Sequence, residues 1–305
     1  MTGLEAGPRE RLERWLEEGR LWADAALERA LGDVQGAPLL LQSAMRHALL
    51  AGGKRLRPSL VRLFAEAAGG DEDCAWRPAV AMELVHTYSL VHDDLPCMDD
   101  DDMRRGLPTV HKRWDEATAV LAGDALLTEA FSILSGHESA GPLVQILATA
   151  AGASGMVGGQ VLDLTVDLNG VQSEGEGAGL EHVMEIHRLK TAALFGASCE
   201  LGWVAAGGEG AAQEDAKAFG VALGLLFQAT DDLIDVTGSA DGLGKTPGKD
   251  AALSRPTLVA ALGLDAASER AGEFAELAKS SAVKLGFSDG HPAYDLIGLM
   301  LNRAH

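Results

Sequence analysis

Six aspartates fall within ten residues of this chain: Asp93, Asp94, Asp99, Asp100, Asp101 and Asp102, in the stretch SLVHDDLPCMDDDDMRRG that begins at residue 89. The run before them, AVAMELVHTYSLVH, is apolar with helical spacing, so a buried helix must deliver a cluster of carboxylates to its own end. Carboxylates this close repel and raise one another's pKa unless a cation holds them. Hard oxygen donors suit Mg²⁺, which takes one or two protein carboxylates and completes its shell with phosphate oxygens and water. Arg104 and Arg105 follow after Met103, an addition that suits a diphosphate bridged to the protein by metal better than a bare ion store. A solvated acidic loop closing a helix is the plainer alternative on this stretch alone.

A second acidic set makes that alternative hard to hold. FQATDDLID occupies residues 227–235 inside a long apolar stretch. On a helix Asp231 and Asp235 are one turn apart with Asp232 beside them, and Gln228 lies one turn earlier. Acidic groups on an apolar helix are costly without a partner. The spacing therefore predicts two walls of one cavity that share metal ions.

Composition narrows the partners. The chain has 305 residues and a formal net charge of −20, with 47% hydrophobic and 23% charged residues. Such an acidic balance argues against nucleic acid as a partner. Cys74, Cys97 and Cys199 are scattered and odd in number, giving neither a disulfide framework nor zinc spacing. MTGLEAGPRERLERW carries no apolar signal core, and no run of about eighteen apolar residues appears. The expectation is a cytoplasmic protein without stable membrane insertion.

Helical periodicity covers 8–32, 37–51, 59–69, 109–135, 141–167, 180–206, 212–236, 256–286 and 292–303, and Pro78 is expected to start the helix that carries Glu83, His86 and Tyr88 into the first acidic set. Period-2 alternation is lacking, so the fold class is all-α, as one domain over 1–305. Between these helices lie three loops of interest. GGKRLRP at 52–58 places Lys54, Arg55 and Arg57 around a glycine turn, a candidate anion site. Residues 168–179 are turn-rich and acidic, a candidate mobile connection. TGSADGLGKTPGKD at 237–250 carries Lys245 and Lys249 and suits a lid over phosphate. Polar Gln160 and Asp163 interrupt one apolar helix, and Lys190 and Thr191 another.

Taken together, GGKRLRP, HTYSLVHDDLPCMDDDDMRRG, LAGDALL, GGQVLDL, HRLKTAAL, FQATDDLID and LGKTPGKD resemble the trans-isoprenyl diphosphate synthase family, bacterial farnesyl diphosphate synthases most closely. The resemblance implies an isoprenoid synthase helical bundle, usually a homodimer, with a cavity between the aspartate helices. It assigns Asp93, Asp94 and Asp99 to the first metal motif and Asp231, Asp232 and Asp235 to the second, together holding three Mg²⁺. Arg104, Lys190, Thr191, Gln228 and Lys245 match groups around the allylic diphosphate, and Lys54, Arg57, His86 and Arg105 match the pocket for isopentenyl diphosphate. Among these, Asp93, Asp94, Asp99, Arg104, Lys190, Asp231 and Lys245 are the expected catalytic groups. Gln160 and Asp163 match a motif lining the cavity.

Chain length in the family follows the residue five positions before the first aspartate, here Tyr88, and an insertion in the first motif, here Pro96-Cys97. Both point to farnesyl diphosphate, with geranylgeranyl diphosphate as the alternative. Two departures stand out: Arg255 replaces a second loop lysine, and the basic tail shrinks to Asn302-Arg303-Ala304-His305. A terpene cyclase would lack the Lys54, Arg57 and His86 pocket. A silent partner subunit would have lost one aspartate motif, and a plain metal-binding scaffold leaves Arg104, Arg105, Lys190 and Lys245 without a purpose.

Overall fold

The computed structural model describes residues 7–32, 34, 36–164, 176–238 and 256–302. Its helices are α1 (Pro8–Gly32), α2 (Leu39–Leu49), α3 (Leu56–Ala67), α4 (Glu72–Asp93), α5 (Val110–Arg113), α6 (Glu116–Ser135), α7 (Ala140–Ala151), α8 (Met156–Leu164), α9 (Glu176–Ile186), α10 (Ala193–Ala205), α11 (Ala211–Thr237), α12 (Leu258–Leu262), α13 (Leu264–Lys284) and α14 (Pro292–Asn302). A π-turn, His187–Ala192, joins α9 to α10. The all-α expectation holds. The one ladder among the described residues is β1 (Met103–Arg104) antiparallel to β2 (Leu107–Pro108), closed by Arg105 and Gly106. Both turn residues have positive φ, 54° and 78°, the combination whose twist suits a two-residue hairpin.

The chain divides into two compact units: Met1–Trp15, Leu147–Glu200 and Glu209–His305 form one, Leu16–Ile146 and Leu201–Gly208 the other. In the second, α4 is central, with α3 and α6 packed against it. Its interior positions Ala75, Ala79, Met82 and Val85 are fully covered, as are Leu126, Ala130 and Leu134 of α6. By length and composition α6 and the segment Ala140–Leu164 would each span a membrane, but a core helix passes the same test, and α6 lies on α4 as a core helix does. In the other unit α11 is central, with α13 along it and the π-turn and α8 beside it. Small residues set these distances. A Cβ on Gly159 would come 2.3 Å from the Lys190 backbone nitrogen, and one on Gly224 would come 2.6 Å from Ala192 Cα.

Several boundaries differ from the sequence expectation, each for a local reason. Pro78 does not start its helix. Asp71 does, its carboxylate accepting from the backbone N–H of Asp73 at 3.0 Å and Cys74 at 3.1 Å. Pro78 then lies inside α4, where it deprives the Cys74 carbonyl of its helical donor. His137 supplies one. Its Nδ1 accepts from Ser139 N–H at 2.9 Å, so Nε2 bears the proton and meets Cys74 O at 3.1 Å. His137→Ala is expected to destabilise the protein by about 1–3 kcal/mol in urea unfolding. Adding Pro78→Ala, which restores the N–H, should recover most of that loss; no recovery would refute the assignment.

The long helices expected over 109–135 and 256–286 are broken at Trp114 and Gly263, the latter with φ 80°. That over 141–167 breaks after Ala151, and that over 180–206 contains the π-turn. Most of the 168–179 loop, the 239–255 segment with Lys245, Lys249 and Arg255, and Arg303-Ala304-His305 lie outside the described residues.

Candidate active site

The acidic turn is built by the end of α4. Asp94 caps that helix, and the chain curls back so that Asp99 N–H bonds Asp93 O at 2.8 Å and Asp101 N–H bonds Asp94 O at 3.1 Å. Pro96 sits in this reversal, where no helical N–H is required. Asp93 and Asp99 are half-buried, whereas Asp94 is only 3% exposed. Arg104 donates from Nε to Asp94 Oδ1 at 3.0 Å and from Nη2 to Asp101 Oδ2 at 3.1 Å. Burial, reinforced by Asp101 and Asp99, still raises the Asp94 pKa against the pull of Arg104. One guanidinium therefore does not neutralise the turn. The donors are all carboxylate oxygens, and the remaining negative charge fits a hard divalent cation.

Beside α4 the basic set gathers in the same unit. Arg55, which the motif placed in a candidate anion site, is instead enclosed: it is 3% exposed, with Nε 2.8 Å from Asp24, Nη1 2.6 Å from Glu83 and Nη2 2.7 Å from Leu49 O. Its own φ of 49° turns it inward at the start of α3. Arg105 donates to the Gly52 carbonyl, and a side chain on Gly53 would strike its guanidinium at 2.8 Å. The paired glycines of GGKR thus leave room for an arginine of RRG.

Glu83, buried and 4.0 Å from Arg105, is the acidic centre of this set, and the sequence reading gave it no role. Its signal was present: a glutamate on an otherwise apolar helix face. The cations outnumber it. Burial and then Arg105 push the Arg57 guanidinium down to about 10, and burial with opposing arginines lowers Arg105 too. Lys54 is exposed at the rim. A cluster that resists holding its own positive charge gains from an anion.

His86 belongs to this set. Burial first, then Arg57, Arg105, Arg55 and Arg104, hold it well below 6.5, so it is neutral at pH 7. Below that value the unfolded chain takes a proton that the folded chain refuses. Stability therefore falls as pH drops through 6.5 toward the lower folded value. Thermal unfolding followed from pH 7.5 to 5 should show a smaller decline in His86→Gln than in the natural protein. Equal declines would contradict the assignment.

The second carboxylate set occupies the other unit. Asp231 and Asp235 are half-buried on α11, but Asp232 is only 2% exposed. One residue of helix rotation turns it inward, and both its oxygens are engaged. Oδ1 accepts from Gln228 Nε2 at 3.0 Å, and Oδ2 accepts from Leu258 N–H at 2.7 Å with His187 Nε2 at 3.4 Å. Thr191 donates to Gln228 Oε1 at 3.0 Å, so the π-turn, Gln228 and Asp232 form one chain of hydrogen bonds. Lys190 of the same turn lies 2.5 Å from Asp163, pairing two residues singled out separately in the sequence. Gln160 stands on α8 one turn before Asp163. The extra residue of a π-turn, often found at functional sites, was invisible in the sequence.

The Polyprenyl synthetase family matches residues 38–284. The chain belongs to that family. The chain also resembles curated plant proteins over most of its length. It is 47% identical over 250 residues to the heterodimeric geranylgeranyl pyrophosphate synthase large subunit 1 of Arabidopsis thaliana, covering 78% of this chain and 64% of that one. It is 42% identical over 291 residues to the geranylgeranyl pyrophosphate synthase of Capsicum annuum, covering 93% and 76%. Among solved structures, an FPP/GFPP synthase from Zymomonas mobilis superposes with TM-score 0.81 at 35% identity, covering 95% and 98% of the two chains. A geranyltransferase from Legionella pneumophila gives 0.82 at 31%, covering 96% and 98%. This polyprenyl synthetase is a prenyltransferase with the isoprenoid synthase fold.

Proposed function

We propose that this polyprenyl synthetase condenses isopentenyl diphosphate with short allylic diphosphates, lengthening the allylic chain by five carbons at each step. The observation that carries this reading is the pairing of carboxylate and cationic sets. Asp93, Asp94 and Asp99 stand beside Arg104, and Asp231 and Asp235 stand on a helix tied through Gln228 to Thr191, which neighbours Lys190 on the π-turn. Both carboxylate sets would hold Mg²⁺, three ions in the family resemblance. When bound, the metal neutralises charge on the departing diphosphate.

The chain's own groups do the rest. Arg104, Lys190, Thr191 and Gln228 orient the allylic diphosphate, with Lys245 added from the segment outside the described residues. As its carbon–oxygen bond breaks, the electron pair leaves with diphosphate and an allylic cation forms. Lys54, Arg57 and Arg105 grip isopentenyl diphosphate, and neutral His86 offers one N–H. Holding the double bond against the cation supplies most of the advantage over reaction in water. The new carbon–carbon bond forms from that double bond, and the proton then lost goes to the released diphosphate. Apolar helix faces keep water from the cation.

Two observations pull the product length apart. The plant relatives are named as geranylgeranyl pyrophosphate synthases, which favours twenty carbons and is the reading we place first. Tyr88 favours fifteen. It is 6% exposed, edge-on to His92 at 5.8 Å, and its pKa is raised by burial and then by Asp93, so its phenol fills space near the first aspartate. Product analysis after phosphatase treatment, with labelled isopentenyl diphosphate and each allylic starter, separates the two. Geranylgeraniol supports the first reading. Farnesol, shifting to longer alcohols in Tyr88→Ala, supports the second. No incorporation by folded protein with any starter would overturn both.

We also propose a homodimer. On α6, an apolar helix, Val120 and Leu121 are 42% and 59% exposed. Light scattering should report twice the chain mass, and Leu121→Glu should halve it.

A further inference from the structure

Past the catalytic aspartates, the acidic turn and the short helix α5 bring together a different group of donors. One oxygen each from Asp100 and Asp102 and a ring nitrogen of His111 lie within 4.8 Å of one another. None of the three belongs to the carboxylates assigned above to Mg²⁺.

Acidic groups in a turn are common, but His111 is not a surface residue. It is 7% exposed, and its Nε2 is buried with no hydrogen-bond partner. The other ring nitrogen settles which tautomer is present. Thr109 Oγ1 donates its proton to the Asp101 carbonyl at 2.9 Å. Its 3.2 Å contact with His111 Nδ1 therefore requires the ring to donate there. In the neutral ring Nε2 then carries a lone pair in a buried position, an arrangement that costs stability unless a donor or a cation meets it. No N–H or O–H bonds it, and carboxylate oxygens of Asp100 and Asp102 lie within 4.8 Å of a nitrogen of the ring.

We propose that Asp100, Asp102 and His111 form a divalent cation site, separate from the catalytic motif and suited to Zn²⁺, Mn²⁺ or Co²⁺. Imidazole with two carboxylates selects borderline metals, whereas all-oxygen sets suit Mg²⁺. The Thr109 contact to Nδ1 is the outer hydrogen bond that fixes a ligating imidazole. Asp100 and Asp102 are exposed and close the remaining distance by side-chain rotation. Lys112 Nζ, 2.8 Å from Asp102 Oδ1, is itself 42% exposed and able to withdraw or to hold the second oxygen. A bound ion would staple the acidic turn to α5. The hairpin between them carries Arg104 and Arg105, so the site would stiffen the segment that presents both arginines.

The test uses the full chain with metal alone. With one equivalent of Mn²⁺, electron spin echo modulation should show ¹⁴N coupling from an imidazole ligand, and His111→Gln should abolish it. Because a buried substitution risks the fold, exposed Asp100→Asn provides a second variant. Competition with a chromophoric chelator should show its Zn²⁺ affinity reduced at least about tenfold, with Asp99→Asn leaving this site intact. Absence of nitrogen coupling in the natural protein, or unchanged Zn²⁺ affinity in Asp100→Asn, would overturn the proposal.

Discussion

Arg55→Met is expected to lower stability by about 3–5 kcal/mol, because it leaves buried Glu83 without its closest counter-charge. Arg55 is among the most enclosed charges described, with its three guanidinium nitrogens facing Asp24, Glu83 and the Leu49 carbonyl. The methionine retains much of the stem and its packing, so the loss reports the charge. Burial lowers the Arg55 pKa and the two carboxylates more than restore it, which is why the group stays ionised in the interior. Glu83→Gln combined with Arg55→Met should be less damaging than the sum of the two, since the stranded charge disappears. Denaturant unfolding of the four proteins checks this. A loss within about 0.5 kcal/mol, the range of an ordinary surface change, would show that the pair is not a structural clamp.

The largest effect on rate is expected at Asp231. Asp231→Asn should lower kcat by about a thousandfold or more, a loss near 4 kcal/mol of transition-state stabilisation. The unfolding midpoint should scarcely move. Its neighbour provides the contrast. Asp232 accepts from Leu258 N–H and Gln228 and is almost fully covered. Asp232→Asn would turn a donor toward a donor and should read first in stability, by about 1–3 kcal/mol, with rate following through the position of α12. Equal effects on rate, with no difference in stability, would show Asp232 acting as a metal ligand with Asp231 and Asp235, as the sequence leads one to expect.

That contrast marks what the sequence made legible. The two acidic sets, their helices and their basic neighbours could be read from spacing, because ionised groups in apolar helices have few physical justifications. Which aspartate of a pair faces inward was not readable. It depends on the rotation of α11 and on Leu258 arriving from far along the chain to need a cap. Arg55 shows the same limit: three basic residues in GGKRLR look alike until one adopts a left-handed φ and turns toward Glu83. Pro78 misled because its missing bond is made good by His137, about sixty residues away. The π-turn that aligns Lys190 and Thr191 has no composition of its own.

The proposed reaction rests on ionisation of the allylic diphosphate before the new bond forms. The most direct test is the single-turnover rate with a starter bearing fluorine at C2, which withdraws electrons from the cation while scarcely changing the shape of the substrate. Ionisation predicts a rate at least about a hundredfold below that of the unsubstituted starter, equivalent to about 2.7 kcal/mol, with binding unchanged. A fluorinated starter consumed at the ordinary rate would contradict the account.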